Sequence, residues 1–247
     1  MSDDGRQVTE EHRRRQLAIR AAVMRDVTSV WRTEFDIEDV ASSQLRVTEA
    51  LKSVLADGKM RAAEEAADYY SQFRAIDGPG ARRARPMGDL DGRRVDRSVG
   101  YAARIVPLKA LKAGRTQQQA ARAGLEQTMG ASGRLVSDGS RETVIRAAEE
   151  DPAEPRWQRV TGPEPCEFCA MLSARGGVYR AQATAVFEAH SGRGAACQCE
   201  AEPVYGERFL SEQQQRFKEL YDREAKGSRD PLKAFRDAYR REIKPAA

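Results

Sequence analysis

All four cysteines of this 247-residue chain fall in one short window. It reads Cys166-Glu-Phe-Cys169, then twenty residues, then His190, then six residues, then Cys197-Gln-Cys199. His190 is one of two histidines in the chain. Thiolates with an imidazole are the ligand set zinc prefers, and a two-residue gap lets both sulfurs of a Cys-x-x-Cys turn reach one ion. The window is therefore read as a structural zinc knot. Five candidate ligands stand for four positions. Cys166 and Cys169 form the first pair, His190 supplies the nitrogen, and one of Cys197 or Cys199 closes the tetrahedron. Both of these point to the same face if their segment is a strand, so geometry does not choose between them; Cys197 is preferred. A closed set of four protein ligands leaves no open position for a metal-bound water, which makes the site structural rather than catalytic. Zinc binding of about 10–16 kcal/mol rivals the stability of a whole domain, so this segment is expected to need its metal to fold.

Three other uses of these thiols are conceivable in a cysteine cluster. Disulfides are disfavoured because the chain opens Met1-Ser-Asp-Asp with no apolar run behind it; no secretory signal or membrane span is recognised, and a reducing cytosol is expected. A redox Cys-x-x-Cys needs a thioredoxin-like βαβ setting, which the flanks do not supply. Unrelated buried thiols would not cluster in this way.

The composition frames these residues with helices. Hydrophobic residues are 40%, charged residues 32% and aromatics 6%, with a mean hydropathy of −0.69. That is a polar, helix-rich balance with thin cores. The net charge of +4 is too small to mark a nucleic-acid protein by itself, and no repeat of 20–50 residues is visible. Residues 1–8 read as loose. From Thr9, Leu17, Ala21, Met24, Val27, Trp31 and Phe35 make one apolar stripe. The cluster His12-Arg13-Arg14-Arg15 on it reads as a solvated face, and His12 has no partner near it in sequence. A second helix is predicted from Val40 to Leu55, ended by Asp57-Gly58, and a third from Met60 to Phe73. Residues 77–97 read as a linker rich in Gly, Pro and Arg. Its Arg82, Arg83, Arg85, Arg93, Arg94 and Arg97 are candidate contacts for phosphate or an acidic surface. No aromatics interleave them, so any nucleic-acid contact would be sequence-blind and salt-sensitive. Helices resume at Ser98, with Pro107 interrupting. Thr116-x-x-Gln119 is a capping box, and a break is predicted at Gly130–Gly133. Strands are predicted at Arg156–Val160, Val178–Arg180 and Cys199–Val204, and helices beyond Tyr205, one starting at Asp230-Pro231. The expected fold is mainly α with a small zinc-stapled β-containing module. Its parts are a helical region 1–76, the linker 77–97, a module 98–205 and C-terminal helices 206–247.

The run Arg156-Trp-Gln-Arg-Val160, Cys166-x-Phe-Cys169-Ala-Met-Leu, Arg175-Gly-Gly-Val-Tyr179, His190, Cys197-x-Cys199 and Glu202-Pro-Val-Tyr205 resembles the phage Mu F-like (MuF) minor capsid proteins, in the versions of actinobacterial phages. The likeness is specific over 140–205 and general over 98–140. It implies a head-morphogenesis protein of the virion, made in the host cytoplasm. The implied partners are portal, capsid and scaffold proteins, with packaged double-stranded DNA as a sequence-independent contact and no membrane. The family's Cys-x-x-Cys, His and Cys-x-Cys positions map onto Cys166, Cys169, His190, Cys197 and Cys199. In the family the histidine usually lies close before the Cys-x-Cys, whereas here Ser191 to Ala196 intervene. A four-cysteine site is the fallback.

Two functions of different kind follow. One is a structural virion protein without catalysis. The other is a capsid maturation protease. Against the protease stand the absence of a Gly-x-Ser-x-Gly elbow and of His-Glu-x-x-His, and a supply of only two histidines to serve as base. A Ser–Lys dyad would leave no signature in a single sequence. A zinc-based DNA reader is disfavoured, because no recognition helix follows the Cys-x-x-Cys.

Overall fold

A computed structural model describes residues 2–180, 199–206 and 210–243. Its frame is three long helices: α1 (Asp3–Glu34), α2 (Val40–Asp77) and α5 (Gln117–Glu149). Between α2 and α5 run α3 (Gly92–Gly100), a π-helical turn (Tyr101–Ile105) and α4 (Val106–Lys112). Beyond α5 come β1 (Arg156–Val160), α6 (Glu167–Arg175), β2 (Glu200–Val204), α7 (Glu212–Glu224) and α8 (Pro231–Glu242).

Each boundary has a local cause. Ser2 caps α1 through Gly5 N–H, and Asp3 and Asp4 place acid in the first turn. The helix thus begins at Asp3, and residues 3–8 are not loose. Asp39 caps α2 and Thr116 closes a full capping box with Gln119. Asp230 caps α8 with Pro231 at its first position, as predicted. Two predicted helix breaks are not found. Helix α2 runs unbroken through Asp57-Gly58, and α5 through Gly130–Gly133. A Cβ at Gly58 would stand 2.6 Å from Val23 Cγ2 and 3.2 Å from Val136 Cγ2. This glycine lets α1 and α5 approach α2 rather than ending the helix. The predicted linker is also shorter, because α3 starts at Gly92, capped by Asp91.

The core has two parts. One joins α1, α2, α3 and α5 through Val23, Val27, Trp31, Leu51, Val99 and Val136. The other gathers the far ends of α2 and α5, the sheet and α6–α8 around Tyr70, Phe73, Ile145, Trp157, Phe217 and Phe235. The sheet is two antiparallel strands, with Gln158 opposite Glu202 and Val160 opposite Glu200. The expected strand at Val178–Arg180 is a single bridge, Tyr179 to Trp157. Among the described residues no helix is long and apolar enough to cross a membrane.

Candidate metal centre and the buried polar network

Cys166 is the N-cap of α6, half-buried, with extended backbone (φ −70°, ψ 158°). Cys169 lies one turn further on and is fully buried. Both therefore sit where unpaired helix N–H groups favour a thiolate. Arg159 of β1 adds a guanidinium 3.4 Å from Cys169 Sγ and packs 5.9 Å from the Phe168 ring centre. Cys199, immediately before β2, is buried in the same core. Helix α8 supplies the common reference point. The Tyr239 hydroxyl donates to Pro165 O at 2.7 Å. Its pKa is pushed up to about 12, first by burial and then by the negative character of Cys166, Glu167, Cys169 and Cys199. Cys169 and Cys199 belong to one apolar core, and Cys166 packs against it. Glu167 is held below the usual carboxylate range: burial raises it, but its own backbone N–H and Arg240 and Arg236 outweigh that. The Arg240 contact is 2.8 Å.

His190 and Cys197 lie outside the described residues. Among the described residues no group of three or more His, Cys, Asp or Glu side chains is placed to hold a metal. Thiols are donors that a thiophilic ion takes, but the described cysteines do not by themselves form a closed site.

The sequence did not foretell the second constellation. His12, expected on a solvated face, is buried against Tyr69, with ring centres 4.1 Å apart. Its Nδ1 is 2.5 Å from Glu65 Oε2 on α2, and its Nε2 is 3.2 Å from Ser140 Oγ on α5. Ser140 donates its one proton to Glu200 Oε2 at 2.9 Å. Glu202, two residues along β2 and on the same face, accepts from Thr9 Oγ1 at 2.6 Å and from Gln158. Gln16 reaches Glu65 at 2.7 Å and Ala62 O at 2.9 Å. Arg141 donates to Cys199 O at 2.9 Å and lies 3.5 Å from Asp138. The network ties the start of α1 to α2, α5 and β2, and touches the cysteine module at Cys199. The one sequence signal was the alternation Cys199-Glu-Ala-Glu, which puts two carboxylates on one strand face.

The third cluster closes the end of α2. Asp151 is a fully buried carboxylate held by Arg74 Nε at 2.6 Å and by the hydroxyls of Tyr70 and Tyr205, each at 2.8 Å. Burial works to raise its pKa, but Arg74, the Ala153 N–H and the two phenols outweigh it and hold Asp151 far below the carboxylate range. Burial pushes both phenols above their usual range.

The six arginines of the predicted contact stretch divide. Arg82 donates to Glu150 O at 2.7 Å, and Arg94 is 2.6 Å from Asp138 and 3.8 Å from Glu142. These two are engaged internally. Arg83, Arg85, Arg93 and Arg97 are exposed.

This chain is a mainly helical protein carrying a small cysteine-bearing α/β module. The family model described as VG15 protein matches residues 4–224. The chain belongs to this family of viral, phage proteins. No curated protein and no solved structure matches it.

Proposed function

We propose that this phage protein is a minor capsid component acting in head morphogenesis at the portal and procapsid interior, without catalysis of its own. What supports the reading is the way the cysteine module is built into the helical frame: Cys199, just before β2, is buried in the core that holds Cys169, and β2 carries Glu200 to Ser140 of α5 and Glu202 to Thr9 of α1. Such an arrangement suits a rigid docking body. The MuF-like motif run and membership of a phage family point the same way. Removing the gene should leave defective heads while coat-protein processing is unchanged. Coat processing lost with the gene, and restored by the purified protein alone, would overturn the proposal.

A structural zinc ion is part of this reading. Cys166, Cys169 and His190 would hold it with Cys199 or Cys197. Cys199 is preferred here to Cys197 because it is buried in the same apolar core as Cys169, with Cys166 packed against that core. The ion would supply a staple between α6 and the start of β2. Metal analysis of the purified protein should give one zinc per chain, lost in Cys166→Ser and in Cys199→Ser and kept in Cys197→Ser. Full zinc in Cys199→Ser would reverse the choice.

A second reading, capsid maturation protease, has one observation in its favour. Ser140, His12 and Glu65 are aligned as nucleophile, base and orienting acid. Two facts count against it. Ser140 is wholly buried, and its proton is directed to Glu200 rather than to the histidine. The test is coat-protein cleavage by Ser140→Ala: abolished cleavage in a folded variant would establish the protease.

A further inference from the structure

Helix α3, the π turn and α4 form one rod from Gly92 to Lys112. Val95, Val99, Ala102 and Ala103 bury its inner side completely. Its outer side carries Arg93, Arg97, Tyr101, Arg104, Leu108 and Lys112, all exposed. Successive steps of three or four residues place them on one stripe, about 30 Å long at the helical rise. The extra residue in the π turn sets two adjacent alanines against the core while Tyr101, Arg104 and Leu108 face out.

Two properties separate this stripe from an ordinary solvated face. The first is missing counter-charge. Between Gly92 and Arg115 stand seven Arg or Lys and a single carboxylate, Asp96, although the whole chain carries only +4. Asp96 is engaged by Lys52 at 3.2 Å. Arg97 reaches Asp91 only at 4.0 Å, and Arg93, Arg104 and Lys112 have no carboxylate within 4.0 Å among the described residues. Elsewhere arginines answer acids on their own helix, as in Arg13–Glu10 at 2.8 Å and Arg122–Glu126 at 2.9 Å. The second property is apolar. Tyr101 is 47% exposed and Leu108 44%, in line with the cations. Leu45, 65% exposed, follows Gln44, the residue against which Gly100 of the rod sits.

We propose that this rod is the docking surface for an acidic amphipathic helix of a partner protein. Such a helix sets acids against Arg93, Arg97, Arg104 and Lys112, and covers Tyr101 and Leu108 with its own apolar side chains. A DNA backbone would meet the cations alone, because phosphates offer nothing to an exposed leucine in the middle of the row. The inference does not depend on the head-assembly reading and survives its failure.

The test uses the full-length protein and a fluorescent synthetic helix of about three heptads, leucine at its core positions and glutamate elsewhere. A short DNA duplex is the second probe, and sedimentation without either is the third measurement. The altered side chains are exposed, so far-ultraviolet circular dichroism and Tm of each variant should match the parent. The triple variant R93E/R97E/R104E should weaken helix binding by about tenfold or more. The pair Tyr101→Ser and Leu108→Ser should weaken it by about fivefold with charge unchanged. Charge reversal that acts while the serine pair does nothing, with the duplex competing for the site, would overturn the proposal in favour of nucleic acid. A concentration-dependent dimer lost in Leu108→Ser would overturn it in favour of a second copy. Failure of the synthetic helix to bind would overturn it outright.

Discussion

Asp151 shows how much one carboxylate can organise here. It takes Arg74, Tyr70 and Tyr205 at once, and so joins α2, the end of α5 and the exit of β2. Removing its charge leaves the guanidinium facing a neutral amide in a closed site. Asp151→Asn is expected to lower Tm at neutral pH by more than about 5 °C. The pH dependence has a defined sign. The folded pKa lies below the value of about 3.9 in an unfolded chain, so the contribution is complete above that value. It drains away as the pH falls through the folded pKa. The Tm gap between parent and variant should therefore narrow as the solution is acidified towards about pH 2. A gap that stayed constant over that range would mean that Asp151 acts through shape, not charge.

At the scale of elements, the long helices are held close by glycines. A Cβ at Gly139 would stand 2.4 Å from Lys59 O, a backbone atom that cannot move aside without displacing α2. Gly139→Ala should cost about 1–3 kcal/mol despite the better helix propensity of alanine. Gly92→Ala, with nothing within 4 Å, should be neutral or slightly stabilising. Equal Tm values for the two variants would contradict this account. The same glycines explain why the sequence was legible only in part. Apolar stripes revealed α1, and capping residues revealed the starts of α5 and α8. Yet Gly58 and the Gly130–Gly133 run look like breaks in the sequence, because local propensity carries no information about which helix will cross there. Strand β1 was legible from its alternation. His12 was not: three arginines follow it in sequence, and its partners Glu65, Ser140 and Glu200 are 53 or more positions away.

At the scale of the molecule, the described residues form two cores with a polar seam running between them. Each core holds one tryptophan, Trp31 in the first and Trp157 in the second. The seam of His12, Glu65, Ser140, Glu200 and Glu202 crosses between α1, α2, α5 and β2. The two halves are therefore expected to unfold together. Fluorescence of Trp31→Phe and of Trp157→Phe, each retaining one reporter, should give coincident denaturant midpoints after correction for the stability of each variant. Two separated transitions would show that the seam does not couple the cores.

That seam also orders events during synthesis. Thr9 and His12 are synthesised well before their partners Glu202 and Glu200. At about 5–20 residues per second, α1 waits roughly 10–40 s for β2. Once α2 is made it can pair with α1, and Glu65 then meets His12 and Gln16, while Thr9 still lacks Glu202 and His12 still lacks Ser140 and Glu200. The nascent chain is thus a helical hairpin with an unfinished polar edge, and its completion is a late, long-range closure. A ribosome stalled before residue 200 would carry a chain that has most of its helices and lacks the strand that locks them.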